Sequence, residues 1–330
     1  MARGLLNVLS KLGDVELVSE LRTRDGDGDV AVQKGLIEQA DQEVTRLVKT
    51  GGWDAWVSYH NYYKAPDLIG PKVCSALDIP YHLIEASRSP KRLLGPWATF
   101  AKLADEASDA AAVIYYFTHR DQPFLQVAKP AGQQLVHLKP FLDRDAVPVV
   151  TPSRGGKSML AVGMFRSGDK LDSYTNLANA LTALSGTDST LKIIGAGAAE
   201  HEIRTLFAPF GDRVTFLGEL SQSAVLKKME QADVFIWPGV NEAFGMVYLE
   251  AQAMGTPVVA ENRVGVRDVV GPMSMLVEPD DAGAFAQALE VILSAKADPK
   301  PHQAYVTQHH LRASAVETIH QTMQLKTGSS

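Results

Sequence analysis

Between an apolar run at 234–237 and another at 257–260, the chain reads NEAFGMVYLEAQAMGTPVVA from Asn241 to Ala260. Two strand-length runs separated by a helix-length segment of Met, Val, Tyr, Leu and Ala describe a strand, loop, helix and strand in about thirty residues, the size of a βαβ unit. Strands joined through such a crossover are parallel, so the segment confines the chain to the α/β class. A single acid, Glu250, interrupts the apolar helix. A carboxylate there is costly unless something pairs with it. A ligand is the natural partner, because open α/β sheets bind ligands at the carboxyl ends of their strands. A salt bridge within the fold is the plainer alternative.

Local geometry narrows the ligand. Gly239 and Gly245 flank the loop and let backbone approach a bound molecule closely. The helix is predicted to begin between Ala243 and Gly245. The amides of Ala243, Phe244, Gly245, Met246 and Val247 then lack helical partners and carry partial positive charge, which suits phosphate. Glu242 lies ahead of them in the loop, placed to accept hydrogen bonds from hydroxyls. Helical side chains lean toward the N-terminus, so Glu250 points back toward the same pocket. A phosphate cradle with two separated hydroxyl acceptors matches a nucleotide sugar.

The Glu-x7-Glu spacing, the Phe-Gly after the first Glu and the EAxAxGxPVVA tail resemble the family-4 retaining glycosyltransferases of the GT-B fold. The resemblance implies two Rossmann-like, doubly wound parallel-sheet domains facing a cleft, with a C-terminal helix crossing back. It implies sugar transfer with retained configuration from a nucleotide-sugar donor to a glycan or lipid-linked acceptor, as in bacterial surface polysaccharide synthesis. It calls for no cofactor and no obligatory metal. By its residues, Glu242 holds sugar hydroxyls and Glu250 the ribose. Gly163 and Lys170, seven residues apart, match a Gly and a diphosphate-binding Lys. Met164 stands where the family has Arg, so Arg166 is the candidate second cation. Gly195, Ala196, Gly197 and Leu217 line the base pocket. In the first half, His60 belongs to a segment rich in polar aromatics that suit sugars. Glu85, Ser87 and Arg88 end the next strand. These four are the candidate acceptor residues, although many family members carry His near the Glu85 position.

The order of elements agrees. Strands are predicted at 15–18, 55–59, 81–84 and 112–115, then at 159–164, 191–194, 214–217, 234–237 and 257–260, with helices between, such as 37–49 and 97–108. This predicts an acceptor domain over 1–145, a donor domain over 146–310 and a crossover helix and tail over 311–330, with a linker near 141–156. The opening, 1–12, reads as a helix. Family members begin with a strand and a glycine-rich loop before this helix. Without them the first sheet is expected to lack its central strand, leaving two neighbours without a shared partner, or the chain is expected to start upstream.

Other classes fit poorly. A net charge of −6 gives no sign of nucleic-acid binding. One cysteine, Cys74, forms no internal disulfide and suits a reducing cytoplasm. No apolar run reaches the roughly 18 residues of a membrane span. The cations, leucines and Trp of 89–97 allow peripheral contact with an anionic membrane, against the plainer reading of a solvated loop around a packed Trp97. The run Asp25-Gly26-Asp27-Gly28-Asp29 lacks the later Glu of an EF-hand and reads as an acidic turn. Gly195-Ala196-Gly197 lacks the third glycine of a dinucleotide fingerprint. A nucleotide-sugar epimerase and a donor-binding protein without turnover are the rival readings.

Overall fold

The computed structural model describes residues 1–151, 157–184, 188–295, 298–323 and 325. They form two compact units, Met1–Lys139 with Ala315 onward, and Pro140–Ser314. The first unit opens with α1 (Ala2–Leu9) and α2 (Val30–Thr50). It continues through β1 (Trp56–Asn61), α3 (Gly70–Leu77), β2 (Tyr81–Ala86), α4 (Ala98–Ala110), β3 (Val113–Tyr116), α5 (Gln122–Val127) and β4 (Gln134–His137). Its strands form one parallel sheet in the order β1-β2-β3-β4. The core runs through Leu83, Ile114, Phe100 and Val73.

The second unit holds β5 (Ser158–Val162), α6 (Asp169–Ala183), β6 (Thr190–Ile194), α7 (Glu200–Phe207), β7 (Val214–Phe216) and α8 (Gln222–Gln231). After them come β8 (Val234–Ile236), α9 (Met246–Ala253), β9 (Val258–Glu261), β10 (Met275–Val277), α10 (Ala282–Ser294) and α11 (Lys300–His309). Its sheet is parallel throughout, in the order β10-β9-β8-β5-β6-β7. The chain starts in the middle with β5, builds outward to β7, then returns to the other side of β5 with β8. The gap between β5 and β8 is therefore a topological switch point, where ligands bind in open α/β sheets. β8 and β9 are buried at every position, as expected for parallel strands covered on both faces. The last helix, α12 (Arg312–Thr322), starts in this unit, and from Ala315 the chain belongs to the first. There the Thr322 hydroxyl lies 3.1 Å from that of Tyr115.

Several expectations need correction. Residues 15–18 form no strand. Leu17 is 70% exposed, and side chains rather than a strand hold the segment, with Arg46 donating to the Val18 carbonyl and Trp53 to Glu16. The four strands of the first sheet pair directly, with β1 and β4 at its edges. The helix expected at 37–49 begins at Val30, because Asp29 caps it by accepting from the amides of Ala31 and Val32. Asp25 in the same run accepts from the amides of Asp27 and Gly28 and from Gln33. That commits two acids of the turn to backbone capping. β4 and β10 escaped the sequence reading, since neither QLVH nor MLV is a long apolar run. The unit boundary falls between Lys139 and Pro140. Of the expected linker, 152–156 lie outside the described residues, as does part of the expected tail of the last helix. Cys74 is buried, and desolvation pushes its thiol up to about 12. Among the described residues no helix is long and apolar enough to cross a membrane.

Candidate functional site

The switch point brings together Gly163, Lys170 and Glu242, three of the residues that the sequence singled out. β5 ends at Val162 and leads through Gly163 into the loop before α6, which carries Lys170 in its first turn. β8 ends at Ile236 and leads through Trp237 into the loop 238–245. The Lys170 ammonium donates to the Glu242 carboxylate at 2.7 Å. Both side chains are about four-fifths buried, at 20% and 19% exposure. A charge-assisted bond of this kind contributes about 1.5–3 kcal/mol. The carboxylate also accepts from the Trp237 indole at 3.3 Å. The Lys170 ammonium sits 5.5 Å from the centre of that indole ring, within cation–π range.

Trp237 is the residue that sequence reading undervalued, as it looked like the last apolar position of a strand. It is 1% exposed and packs edge-on to Tyr174. A Cβ on Gly163 would lie 2.8 Å from its ring, so that glycine is needed to seat the indole. The signal was an aromatic placed directly before a proline at a strand's carboxyl end. Substituting Trp237→Phe keeps a ring and removes one donor to Glu242, worth about 1 kcal/mol. Donor turnover is expected to fall about fivefold, and thermal unfolding should show the fold intact. Unchanged kcat and KM for the donor would count against this role.

The loop 238–245 is fixed from several sides. Asn241, with φ of 51°, donates to Asp169 at 2.6 Å, and the Val240 amide donates to the buried Ser173 hydroxyl at 3.0 Å. Gly245 takes a left-handed φ of 58°, where a Cβ would meet Tyr248 and Val269 at 2.7 Å. The helix starts just after it, at Met246. Of the amides expected to cradle phosphate, those of Met246 and Val247 lie in the first turn of α9, and Ala243 and Phe244 lie in the preceding loop. Tyr248 is fully buried and donates to the Trp237 carbonyl at 3.1 Å. Desolvation, reinforced by the charges of Glu242 and Glu261, holds its hydroxyl well above the usual tyrosine range.

Glu250 is half-buried on α9 and accepts from the Gln222 side chain at 3.2 Å. Desolvation raises its pKa, and the Gln222 hydrogen bond and the Arg144 charge work against that rise. No salt bridge to Glu250 occurs among the described residues, so its carboxylate keeps acceptor capacity. Glu261, 2% exposed at the end of β9, accepts from Asn176 at 3.0 Å and pairs with Arg263. It is a second buried acid beside the site that sequence reading missed, since the apolar run was read as ending at Ala260.

Other candidates fall into different roles. Arg166 is exposed after β5, and Met164 is 52% exposed. Gly195 and Gly197 are required by packing. A Cβ on Gly195 would lie 2.0 Å from the Gly163 carbonyl, and one on Gly197 would lie 2.2 Å from that of Phe165. The two loops are stitched by Phe165 donating to the Ala196 carbonyl and Gly163 to Ile194. The Leu217 amide donates to Ile193. These bonds place Gly195, Ala196, Gly197 and Leu217 at the carboxyl edge of the same sheet.

In the first unit, His60 and Glu85 stand opposite each other between the paired positions Tyr59–Ile84 and Asn61–Ala86. Both have left-handed backbones, φ 74° and 62°, a strain on the order of 1 kcal/mol each. The His60 Nδ1 lies 3.1 Å from the Glu85 carboxylate. Burial, then the Glu85 charge and hydrogen bond, push the Tyr59 hydroxyl far up. Burial also raises Asp121; Arg120 and His60 oppose that rise, and Glu85 adds to it. Ser87 follows on β2's exit, its amide bonded to the Asn61 carbonyl. Arg88 is committed elsewhere. Its side chain is 7% exposed and binds Asp105 and Asp109 of α4.

Residues 156–295 match the family described as Glycosyl transferases group 1. Over 148 residues the chain is 33% identical to a phosphatidyl-myo-inositol mannosyltransferase of Mycobacterium leprae, covering 42% of this chain and 38% of that protein. Thus the chain spans about two fifths of that curated relative, and less of the next two, at 30% and 27%. Among solved structures, the apo form of the lipopolysaccharide outer core galactosyltransferase WaaB is similar with a TM-score of 0.67 at 16% identity, over 90% of this chain and 82% of that one. Alr3699/HepE from Anabaena, in complex with UDP and glucose, is similar with a TM-score of 0.63 at 16% identity, over 91% and 84%. The chain has the two-unit α/β fold of the GT-B glycosyltransferases, and residues 156–295 of its second unit are similar to the group 1 glycosyltransferase domain.

Proposed function

We propose that this protein is a retaining glycosyltransferase that moves a sugar from a nucleotide-sugar donor to a glycan or glycolipid acceptor. The observation that carries the reading is the Lys170–Glu242 pair at the switch point of a group 1 glycosyltransferase domain. With no donor bound, the two charges satisfy each other. An incoming diphosphate competes for Lys170 and frees Glu242 to accept from the sugar hydroxyls. The bond from the anomeric carbon to the diphosphate oxygen breaks with its electron pair leaving on that oxygen. Lys170 and the first amides of α9 stabilise the charge that develops there. The acceptor oxygen forms the new bond on the same face, and its proton passes to the departing diphosphate. Glu242 fixes the sugar's orientation, and Glu250 holds the ribose. No metal has a part in these steps. The named acceptors of the relatives, phosphatidyl-myo-inositol and lipopolysaccharide outer core, support a glycolipid or surface-polysaccharide acceptor, reached at the cytoplasmic face of a membrane. Acceptor recognition falls to the first unit, around His60, Glu85 and Ser87.

Incubation with mixed UDP- and GDP-sugars, read by mass spectrometry, tests the reading. Release of one nucleoside diphosphate, faster with acceptor, is expected. Nucleotide binding without turnover would reduce the chain to a binding module, and an isomerised donor would make it an epimerase.

Glu250→Gln separates stability from binding. The folded carboxyl has a raised pKa, so it holds its proton more tightly folded than unfolded. Its ionisation therefore opposes folding once pH climbs above the ordinary glutamate range, most fully above the folded value. The variant should lose that pH dependence, be at least as stable as wild type at neutral pH, and bind nucleotide about tenfold more weakly, the equivalent of about 1.4 kcal/mol. Unchanged nucleotide affinity would end the ribose assignment.

A further inference from the structure

The segment 89–97 and the residues that follow β1 build a feature that donor chemistry does not use. Arg92 stacks 5.0 Å from the centres of both the Tyr63 and Trp97 rings. Lys64 approaches the same Trp97 ring at 5.0 Å and Tyr63 at 6.0 Å. The two rings meet edge-on at 5.7 Å. Both cations are half-buried, and neither has a carboxylate in ion-pair range among the described residues. Among the described residues Lys64 donates only to the Gly26 carbonyl, at 3.1 Å. The Asp25 carboxylate nearby is taken up by amides and Gln33, and Asp29 caps α2. Asp27 is exposed. Two donors in the cluster, the Arg92 Nε and the Trp97 Nε1, are buried without a hydrogen-bond partner. Unmet buried donors cost about 1–3 kcal/mol each. Two like charges on one ring add repulsion. An anion between the two cations relieves that repulsion and offers acceptor oxygens to the cluster.

We infer that Arg92, Lys64 and the Trp97 indole form a subsite for a phosphate group carried by the acceptor. The inference rests on reading the first unit as the acceptor side. Chain continuity supports it, because an unbroken series of ring contacts runs from His60 through Tyr62 and Tyr63 to Trp97. The cation pair therefore lies on the same run of rings as His60, beside the acceptor residues of that reading. Beside the pair, Leu94 is 80% exposed and Leu93 41%, which suits a phosphate at a lipid surface, while a phosphate on a soluble acceptor uses the same donors.

Calorimetric titration of the full chain with inorganic phosphate tests this in a Lys170→Gln background, which weakens phosphate binding at the donor site. Adding Arg92→Gln or Lys64→Gln is expected to weaken phosphate binding at least about fivefold, roughly 1 kcal/mol, and Arg92→Lys should recover part of it. Circular dichroism checks that each variant folds. Sedimentation with phosphatidylcholine vesicles, with and without phosphatidylinositol, separates the sources. Arg92-dependent retention on the phosphatidylinositol vesicles assigns the phosphate to a lipid headgroup. Arg92-dependent phosphate binding without retention assigns it to a soluble acceptor. Phosphate binding and retention that both ignore Arg92 and Lys64 overturn the inference. UDP and GDP binding to the Lys170-intact chain is measured beside them. If the chain binds neither nucleotide, the donor reading fails. If nucleotide binds normally while phosphate ignores Arg92 and Lys64, only the phosphate subsite fails.

Discussion

Glu242→Gln is expected to lower donor turnover by about 10²–10³, the loss typical when one polar group aimed at the reacting centre is removed. The substitution keeps size and shape and removes the charge that pairs with Lys170. Lys170 retains 20% exposure, so water reaches it and the fold should survive with a small change in melting temperature. Nucleoside diphosphate affinity should hold or rise, because the Lys170 ammonium is no longer shared with a carboxylate. Lys170→Gln is the complement, weakening nucleoside diphosphate binding as well as turnover. The contrast separates a sugar-holding acid from a phosphate-holding cation. A Glu242→Gln enzyme that turns over near the wild-type rate would remove Glu242 from the mechanism.

Gly195→Ala is expected to be the most damaging small substitution in the second unit. Its Cβ would stand 2.0 Å from the Gly163 carbonyl oxygen and 2.8 Å from the Phe165 ring. The nearest obstacle is backbone, which cannot swing away as a side-chain tip does. Separating the loops would strain the bonds from Gly163 to Ile194 and from Phe165 to Ala196. A loss of about 3 kcal/mol or more is expected, which for a unit of this size lowers the melting temperature by roughly 10 °C. Gly218→Ala is the control. Its φ of 68° is left-handed, against 157° at Gly195, and nothing lies within 4 Å of a Cβ there, so only the conformational cost of about 1–2 kcal/mol applies. A loss at Gly195 no larger than that at Gly218 would count against close packing of the loops as the reason for glycine at 195.

Legibility followed burial. β3, β8 and β9 announced themselves as short apolar runs, because a parallel strand covered on both faces has no polar side to show. Residues 14–17 alternate polar and apolar as an edge strand would, yet 15–18 lies as an exposed coil held by Arg46 and Trp53. Alternation records a face to bury, and that segment has no strand pairing with it. β10 is three residues long, too short for any period to register.

The site divides in the same way. Glu242, Gly245 and Glu250 were readable because they lie within one strand–loop–helix unit, whose local geometry follows from chain order. Arg88 looked available as a cation at a strand end. It is spent on Asp105 and Asp109 of α4, whose approach the local sequence does not record. Gly195 and Gly197 looked like ligand-facing turns, and their missing side chains are explained by the neighbouring loop. Trp237 looked like a strand end and instead holds Glu242 and Lys170 together.

The amino-acid sequence by itself determined the α/β class and the βαβ segment around Glu242 and Glu250. These depend on side-chain period and on helix ends, which neighbours in the chain set. Only the tertiary structure decided that β8 returns to lie beside β5. That strand order depends on hydrogen bonds between backbones far apart in the chain, and backbone groups are the same in every residue apart from proline. The order creates the switch point, and the switch point brings Lys170 to within 2.7 Å of a glutamate 72 positions away.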